Sequence, residues 1–183
     1  TYGGFGRGRG GIDYKLYFAL ELSKPVHSAR FFEHETFLPD NATHAEGEDL
    51  HLLVRFNTAE NEPVLIRCGI SYTDLEGAKN NLRAECPRFD FDGMRQQADT
   101  AWEQALSVVE VQGSNETDLT LFYTCLYHTL LDPRTAVDAD GRFRGADGQI
   151  HTANYTHRTM FSGWDVYRSE FPLLTLTRPT AVN

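Results

Sequence analysis

VLIRCGISYTDLEGAKNNLRAECPRFDF, residues 64–91, changes period in its middle, and that change decides the fold. Val64, Ile66, Cys68 and Ile70 alternate with other residues at period two, the spacing of a half-buried strand. After Tyr72 the spacing becomes helical: Asp74 is a good N-cap for a helix through Ala84, and Pro87 closes it. The join falls near residue 73. Sheet lies behind it and helix ahead, with no strand–helix alternation, so the pattern predicts an α+β chain, an antiparallel β-sandwich followed by helices, and not a doubly wound parallel sheet.

Working back towards the N-terminus, the same period recurs at Leu50, Leu52, Val54 and Phe56, with Asn61-Glu62-Pro63 breaking the chain before the next strand. Tyr14, Leu16, Phe18, Leu20 and Leu22 share one face of an earlier strand, opposite Lys15, Tyr17, Glu21 and Ser23. An apolar group at Phe31, Phe32, Phe37 and Leu38 predicts one more strand, cut short by Pro39-Asp40-Asn41. The glycine-rich Gly3–Gly11, GGFGRGRGG, reads as a flexible loop. Towards the C-terminus, Met94, Ala98, Ala101, Trp102, Ala105, Val108 and Val109 make an apolar stripe, so 91–109 is expected to be a long amphipathic helix. Gly113 ends that unit. Ser114 or Asn115 then caps a helix with Leu119, Phe122, Tyr123, Leu126 and Leu130 inward, terminated by Pro133.

The composition narrows the function. A net charge of −9 repels phosphate backbones, which argues against nucleic acid and suits a neutral ligand such as carbohydrate, or a cation such as calcium. No apolar run of about 18 residues is available to span a bilayer. The chain opens on glycine-rich sequence without a leader and reads as a segment of something longer. Asn-x-Thr sequons at Asn41, Asn115 and Asn154 lean towards secretion. Cys68, Cys86 and Cys125 lack CxxC spacing and are expected to be buried thiols, with a Cys68–Cys86 disulfide open as an alternative. HExxH, GxSxG, the P-loop and GxGxxG are absent in any usable context.

Three places invite a chemical reading. Asp138, Asp140 and Asp147 form an oxygen-rich stretch, but the glycines fall wrongly for an EF-hand, so two Asp-Gly hairpin turns are the simpler expectation. His128 sits near a helix C-terminus, where an imidazolium complements the dipole. The third place is MFSGWDVYRSEFPLL, 160–174. Ser162 can cap a helix with Trp164 and Asp165 in its first turn, and Arg168 three residues on can pair with Asp165 on the same face. An indole beside a fixed carboxylate suits a sugar: the ring covers the C–H face and the carboxylate accepts from hydroxyls. A helix start with a core Trp and a surface ion pair accounts for the same residues equally well on physics alone.

LYFALELSKPV (16–26), residues 64–91, LFYTCLYHTLLDP (121–133), DADGRFRGADGQIH (138–151) and FSGWDVYRSEFPLLTLTRP (161–179) together resemble glycoside hydrolase family 92, the calcium-dependent exo-acting α-mannosidases. The resemblance implies that 1–72 are the last strands of an N-terminal β-sandwich, 73–112 linker helices, and 113–183 the first helices of an (α/α)6 barrel. It implies an inverting hydrolysis of terminal α-linked mannose from glycans, through α-1,2 or related linkages, in a secreted or periplasmic enzyme. The catalytic acid, the base and the Ca2+ ligands are then expected outside this segment, and the segment alone is expected to be inactive and to pack against the remainder of the enzyme. Asp165 and Trp164 match the phrase that contacts mannose, with Arg168 orienting the carboxylate and His128 a distant candidate. A noncatalytic carbohydrate-binding sandwich with a helical appendage, or a calcium-dependent interaction module using Asp138, Asp140 and Asp147, are the competing expectations.

Overall fold

The computed structural model describes residues 2–5, 12–159 and 166–182. The chain divides into two compact units, one made of Thr1–Ala19 with Gly69–Asn183 and the other of Leu20–Cys68. The strands come first and the long helices after, as the change of period predicts. Tyr2–Phe5 (β1) pairs antiparallel with Ile12–Lys15 (β2), Tyr2 opposite Lys15 and Phe5 opposite Ile12. The front of the glycine-rich stretch is therefore a strand and not the expected loop, because Gly3, Gly4 and Phe5 find register partners in Tyr14, Asp13 and Ile12.

Tyr17–Leu22 (β3) is hydrogen-bonded to Ile66–Ser71 (β7). Ser23 stands opposite Leu65, with the Leu65 N–H donating to Ser23 Oγ at 2.8 Å, and the Arg67 guanidinium meets Glu21, so the two strands run antiparallel. In the smaller unit, Ser28–Glu33 (β4) is central, flanked by Thr36–Phe37 (β5) and Leu50–Arg55 (β6). The aromatic group read as one strand is thus a hairpin, turning at His34, whose φ of 50° is left-handed. Phe32 fills this sheet between Phe37 and a His51 ring stacked 4.7 Å away. Strands β6 and β7, neighbours in sequence, pair with β4 and β3 and not with each other.

Helix α1, Leu75–Glu85, begins where Asp74 Oδ1 accepts from the Gly77 N–H at 2.7 Å. Its Ala78 and Leu82 are fully buried, and Gly69 of β7 is what lets the helix come so close. A Cβ at Gly69 would stand 2.2 Å from the Ala78 carbonyl oxygen and 2.7 Å from Leu82 Cβ. Burying Leu82 contributes roughly 2 kcal/mol. The helix therefore covers the Gly69–Ser71 face of β7, while Phe18, Leu20, Ile66 and Ile70 are 49 to 63% exposed. This corrects the expectation that the apolar face of these strands is the buried one. Cys68 lies on the exposed face, Cys125 is also exposed and Cys86 is partly so, which corrects the expectation of buried thiols, and Cys68 and Cys86 are not joined in a disulfide.

Helix α2 is Phe91–Leu106, capped by Asp90; it ends three residues short of the expected 109, with Ser107 as its C-cap. Helix α3 is Glu116–Thr129, with Asn115 Oδ1 accepting from the Thr117 N–H at 3.0 Å. Trp102 of α2 packs on Tyr127 of α3 with ring centres 4.6 Å apart, and Leu126 is buried, while Phe122 remains partly exposed. Arg142–Arg144 (β8) and Ile150–Thr152 (β9) form a hairpin whose loops place Gly141 at φ 84° and Gly148 at φ 77°, as two Asp-Gly turns require. Glu170–Thr177 (α4) and the short Pro179–Val182 (α5) close the described chain. No helix among the described residues is long and apolar enough to cross a membrane.

Candidate functional site

Trp164 and Asp165, and the Ser162 cap expected before them, lie outside the described residues. What the structure describes is their frame. On the entering side, Thr159 is fastened to Arg134 twice: its N–H donates to the Arg134 carbonyl at 2.7 Å, and its hydroxyl accepts from the Arg134 N–H at 3.0 Å. The Ala136 N–H donates to the His157 carbonyl at 2.9 Å, and Thr135 bridges Arg158. The Arg158 guanidinium reaches the Pro133 carbonyl at 3.2 Å. The segment that leaves α3 thus holds the residues that lead into position 160.

On the far side, the helical path expected through Arg168 is interrupted. Tyr167 to Ser169 form a turn, and α4 starts afresh at Glu170. Pro172 supplies the reason: within a continuous helix it would leave the Arg168 carbonyl without its donor and clash with it, whereas in the first turn of α4 its missing N–H is harmless. The Arg168 guanidinium donates to the Tyr167 hydroxyl and lies 5.2 Å from the centre of that ring.

Glu170 is the carboxyl among the described residues whose pKa moves upward. Burial is the larger cause and the Asp132 carboxylate the smaller. Asp132 itself accepts from Arg134 Nε at 2.9 Å. Glu170 stands in the first turn of α4, where the helix dipole acts against this shift. Sequence reasoning singled out neither Glu170 nor Asp132; the Glu170-Phe171-Pro172 helix start was the available signal. His128 occupies the last turn of α3, beside Tyr127 at a ring separation of 5.6 Å.

The three aspartates weighed for calcium do not converge on a cation. Asp138 is buried under donors from Ser71, Thr73 and Asn81, Asp140 accepts from Arg142 Nε at 2.8 Å, and Asp147 accepts from His151 Nε2 at 2.9 Å. The Gln149 N–H and then His151 hold the Asp147 carboxyl below the ordinary range. Among the described residues no group of three His, Cys, Asp or Glu is placed to hold a metal, so these side chains do not fit calcium.

A groove of about 480 Å³ runs between α2 and α3, lined by Leu106, Leu119, Thr120, Tyr123, Thr124 and Tyr127. It offers hydroxyls and apolar surface but no carboxylate, and none of Arg168, Glu170 or His128 reaches it.

Strands handing over to helices at one junction make this an α+β segment. Residues 1–71 match the family model described as the glycosyl hydrolase family 92 N-terminal domain, and 77–183 match its catalytic domain. The chain belongs to glycosyl hydrolase family 92. Among solved structures it is similar to the family GH92 α-mannosidase BT3965 of Bacteroides thetaiotaomicron, at 29% identity and a TM-score of 0.76, over 89% of this chain and 23% of that one. The family GH92 inverting mannosidase BT2199 of the same organism aligns at 27% identity and a TM-score of 0.75, over 88% and 22%. A GH92 family glycosyl hydrolase, ccman5, gives 27% identity and a TM-score of 0.83 over 93% and 23%. The chain thus spans less than a quarter of the length of these relatives. None of the curated proteins matches it.

Proposed function

We propose that this chain is part of an inverting, calcium-dependent exo-α-mannosidase that releases terminal α-linked mannose from glycans, with α-1,2 or related linkages as substrates, outside the cytoplasm in a secreted or periplasmic enzyme. The observation that carries the reading is the pair of family-92 domain matches, in order on one chain. The similar structures support it: BT2199 is an inverting mannosidase, and BT3965 was also solved with mannoimidazole.

Within this reading Trp164 covers the apolar face of the terminal mannose, Asp165 accepts hydrogen bonds from its hydroxyls, and Arg168 steadies that carboxylate. Inversion needs an acid and a base roughly 6.5 to 9.5 Å apart with a water between them, and both groups come from outside residues 1–183. The calcium ligands come from outside as well. The segment by itself is then inactive, and its exposed apolar residues, Phe18, Leu20, Ile66 and Leu121 among them, pack against the remainder of the enzyme.

The test is made on the whole enzyme. Proton NMR of an aryl α-mannoside digest should show β-mannose as the first product, and chelation of calcium should abolish turnover. Asp165→Ala should lower kcat/KM by about a hundredfold or more with the protein still folded, as loss of charge-assisted contacts to a sugar does. Normal kinetics in that variant removes Asp165 from the site, and retention of configuration overturns the inverting assignment.

A further inference from the structure

The residues between the two family-domain matches, 72–76, are not a free linker. Among the described residues, the buried polar side chains are Ser71, Thr73, Asn81 and Asp138, and these four form one network. Asp138 Oδ2 accepts from Ser71 Oγ at 2.7 Å and from the Thr73 hydroxyl, and its Oδ1 accepts from Asn81 Nδ2 at 2.8 Å. Asn81 Nδ2 also donates to the Ile70 carbonyl at 2.8 Å, and its Oδ1 accepts from the Ala139 N–H at 2.7 Å. Gly77 leaves room for this cluster, since a Cβ there would stand 2.4 Å from Asp138 Oδ2 and 2.7 Å from both hydroxyl oxygens.

Two guanidinium groups from the same hairpin complete the grip. Arg142 Nη1 donates to Asp74 Oδ2 at 2.6 Å while its Nε holds Asp140 at 2.8 Å. Arg144 donates from Nε to the Tyr72 carbonyl at 2.8 Å and from Nη2 to the Thr73 carbonyl at 2.9 Å, with Nη1 on the Gly148 carbonyl at 2.7 Å. Each of residues 71 to 74 is therefore bonded to a side chain of 138–144, some 65 to 72 positions further along the chain. Burying a carboxylate is unfavourable unless it is fully hydrogen-bonded, so a chain that needed only a tether would not place one here.

We propose that Asp138, Arg142 and Arg144 are positioning residues that turn the junction into a rigid elbow, so that the catalytic-domain hairpin sets the direction in which β7 hands over to α1. The consequence for catalysis rests on the mannosidase reading; the elbow itself does not.

The experiment uses the whole enzyme in a cysteine-free background, with spin labels at Lys15→Cys, at the end of β2, and Gln97→Cys, on α2, both within the same compact unit as the junction. The wild-type protein should give one narrow distance distribution. Asp138→Ala and the more conservative Arg144→Met, which keeps the apolar stem, should both broaden it. In the same variants the Thr73 and Gly77 amides should exchange about 10- to 100-fold faster, the loss expected for charge-assisted bonds. Arg144→Lys should restore the distance distribution in part. Should Arg144→Met lower Tm yet leave the distribution as narrow as in the wild type, the residues only add stability and the elbow is refuted. An enzyme that shows the broadening but never hydrolyses mannosides supports the elbow and refutes the mannosidase reading.

Discussion

Gly69→Ala tests the packing on which the junction is built. The added Cβ would sit 2.2 Å from the Ala78 carbonyl oxygen and 2.7 Å from both Leu82 N and Leu82 Cβ. A carbon–oxygen contact settles at roughly 3.3 Å, so α1 must move away from β7 by about 1 Å. Two of the three opposing atoms are backbone, and no rotamer change relieves them. Overpacking of this kind costs about 1 to 3 kcal/mol, which raises the opening constant of α1 about 5- to 150-fold. Hydrogen exchange across Leu75–Glu85 in the whole enzyme reads this directly. Gly113→Ala is the control, because its Cβ meets Leu119 at an ordinary 3.6 Å and its backbone is not left-handed. That variant should be neutral or stabilised by about 0.4 to 1 kcal/mol. Leu82→Ala should not rescue Gly69→Ala, since alanine keeps the clashing Cβ and N. Unchanged exchange in α1, or equal destabilisation by both glycine replacements, would refute the reasoning.

Further outcomes follow from the charges. Asp74→Ala removes the cap of α1 and should lower stability by about 1 kcal/mol, with a smaller addition from the half-exposed Arg142 pair. Arg142 first and the Gly77 N–H second hold the Asp74 carboxyl below the ordinary range, so its contribution is present above about pH 4 and fades as pH falls through the lowered pKa. The Tm gap between the wild type and Asp74→Ala should accordingly narrow in acid; a constant gap down to about pH 2 would contradict it. Glu170 behaves oppositely. Burial, then Asp132, raises its pKa, so the wild type loses stability as pH rises through that value, and Glu170→Gln should raise Tm at pH 7 with no gain below about pH 4. A lower Tm for Glu170→Gln at neutral pH would show that the ionised form is the one the fold prefers.

Local signals carried much of this architecture. The change of period at 72–74, the caps at Asp74 and Asn115 and the Asp-Gly turns at Gly141 and Gly148 can be read from a few neighbouring residues, because each is a bond or a φ angle set within one turn of chain. Strand partners are different. Nothing in residues 50–71 says that β6 joins β4 while β7 joins β3, or that α1 takes the glycine face of β7, since these depend on surfaces that meet only after folding. The same holds for Asp138: read along the chain it is one acid in a turn, and its donors at Ser71, Thr73 and Asn81 stand 57 to 67 positions away. For the stretch proposed to contact the sugar, sequence alone named Trp164, Asp165 and Arg168, whereas tertiary structure set its frame, fastening Thr159 to Arg134 before it and restarting the helix at Glu170 behind it. Residue type declares what chemistry a side chain can do; which groups stand opposite it is decided by long-range packing, and one chain's local spacing does not encode that.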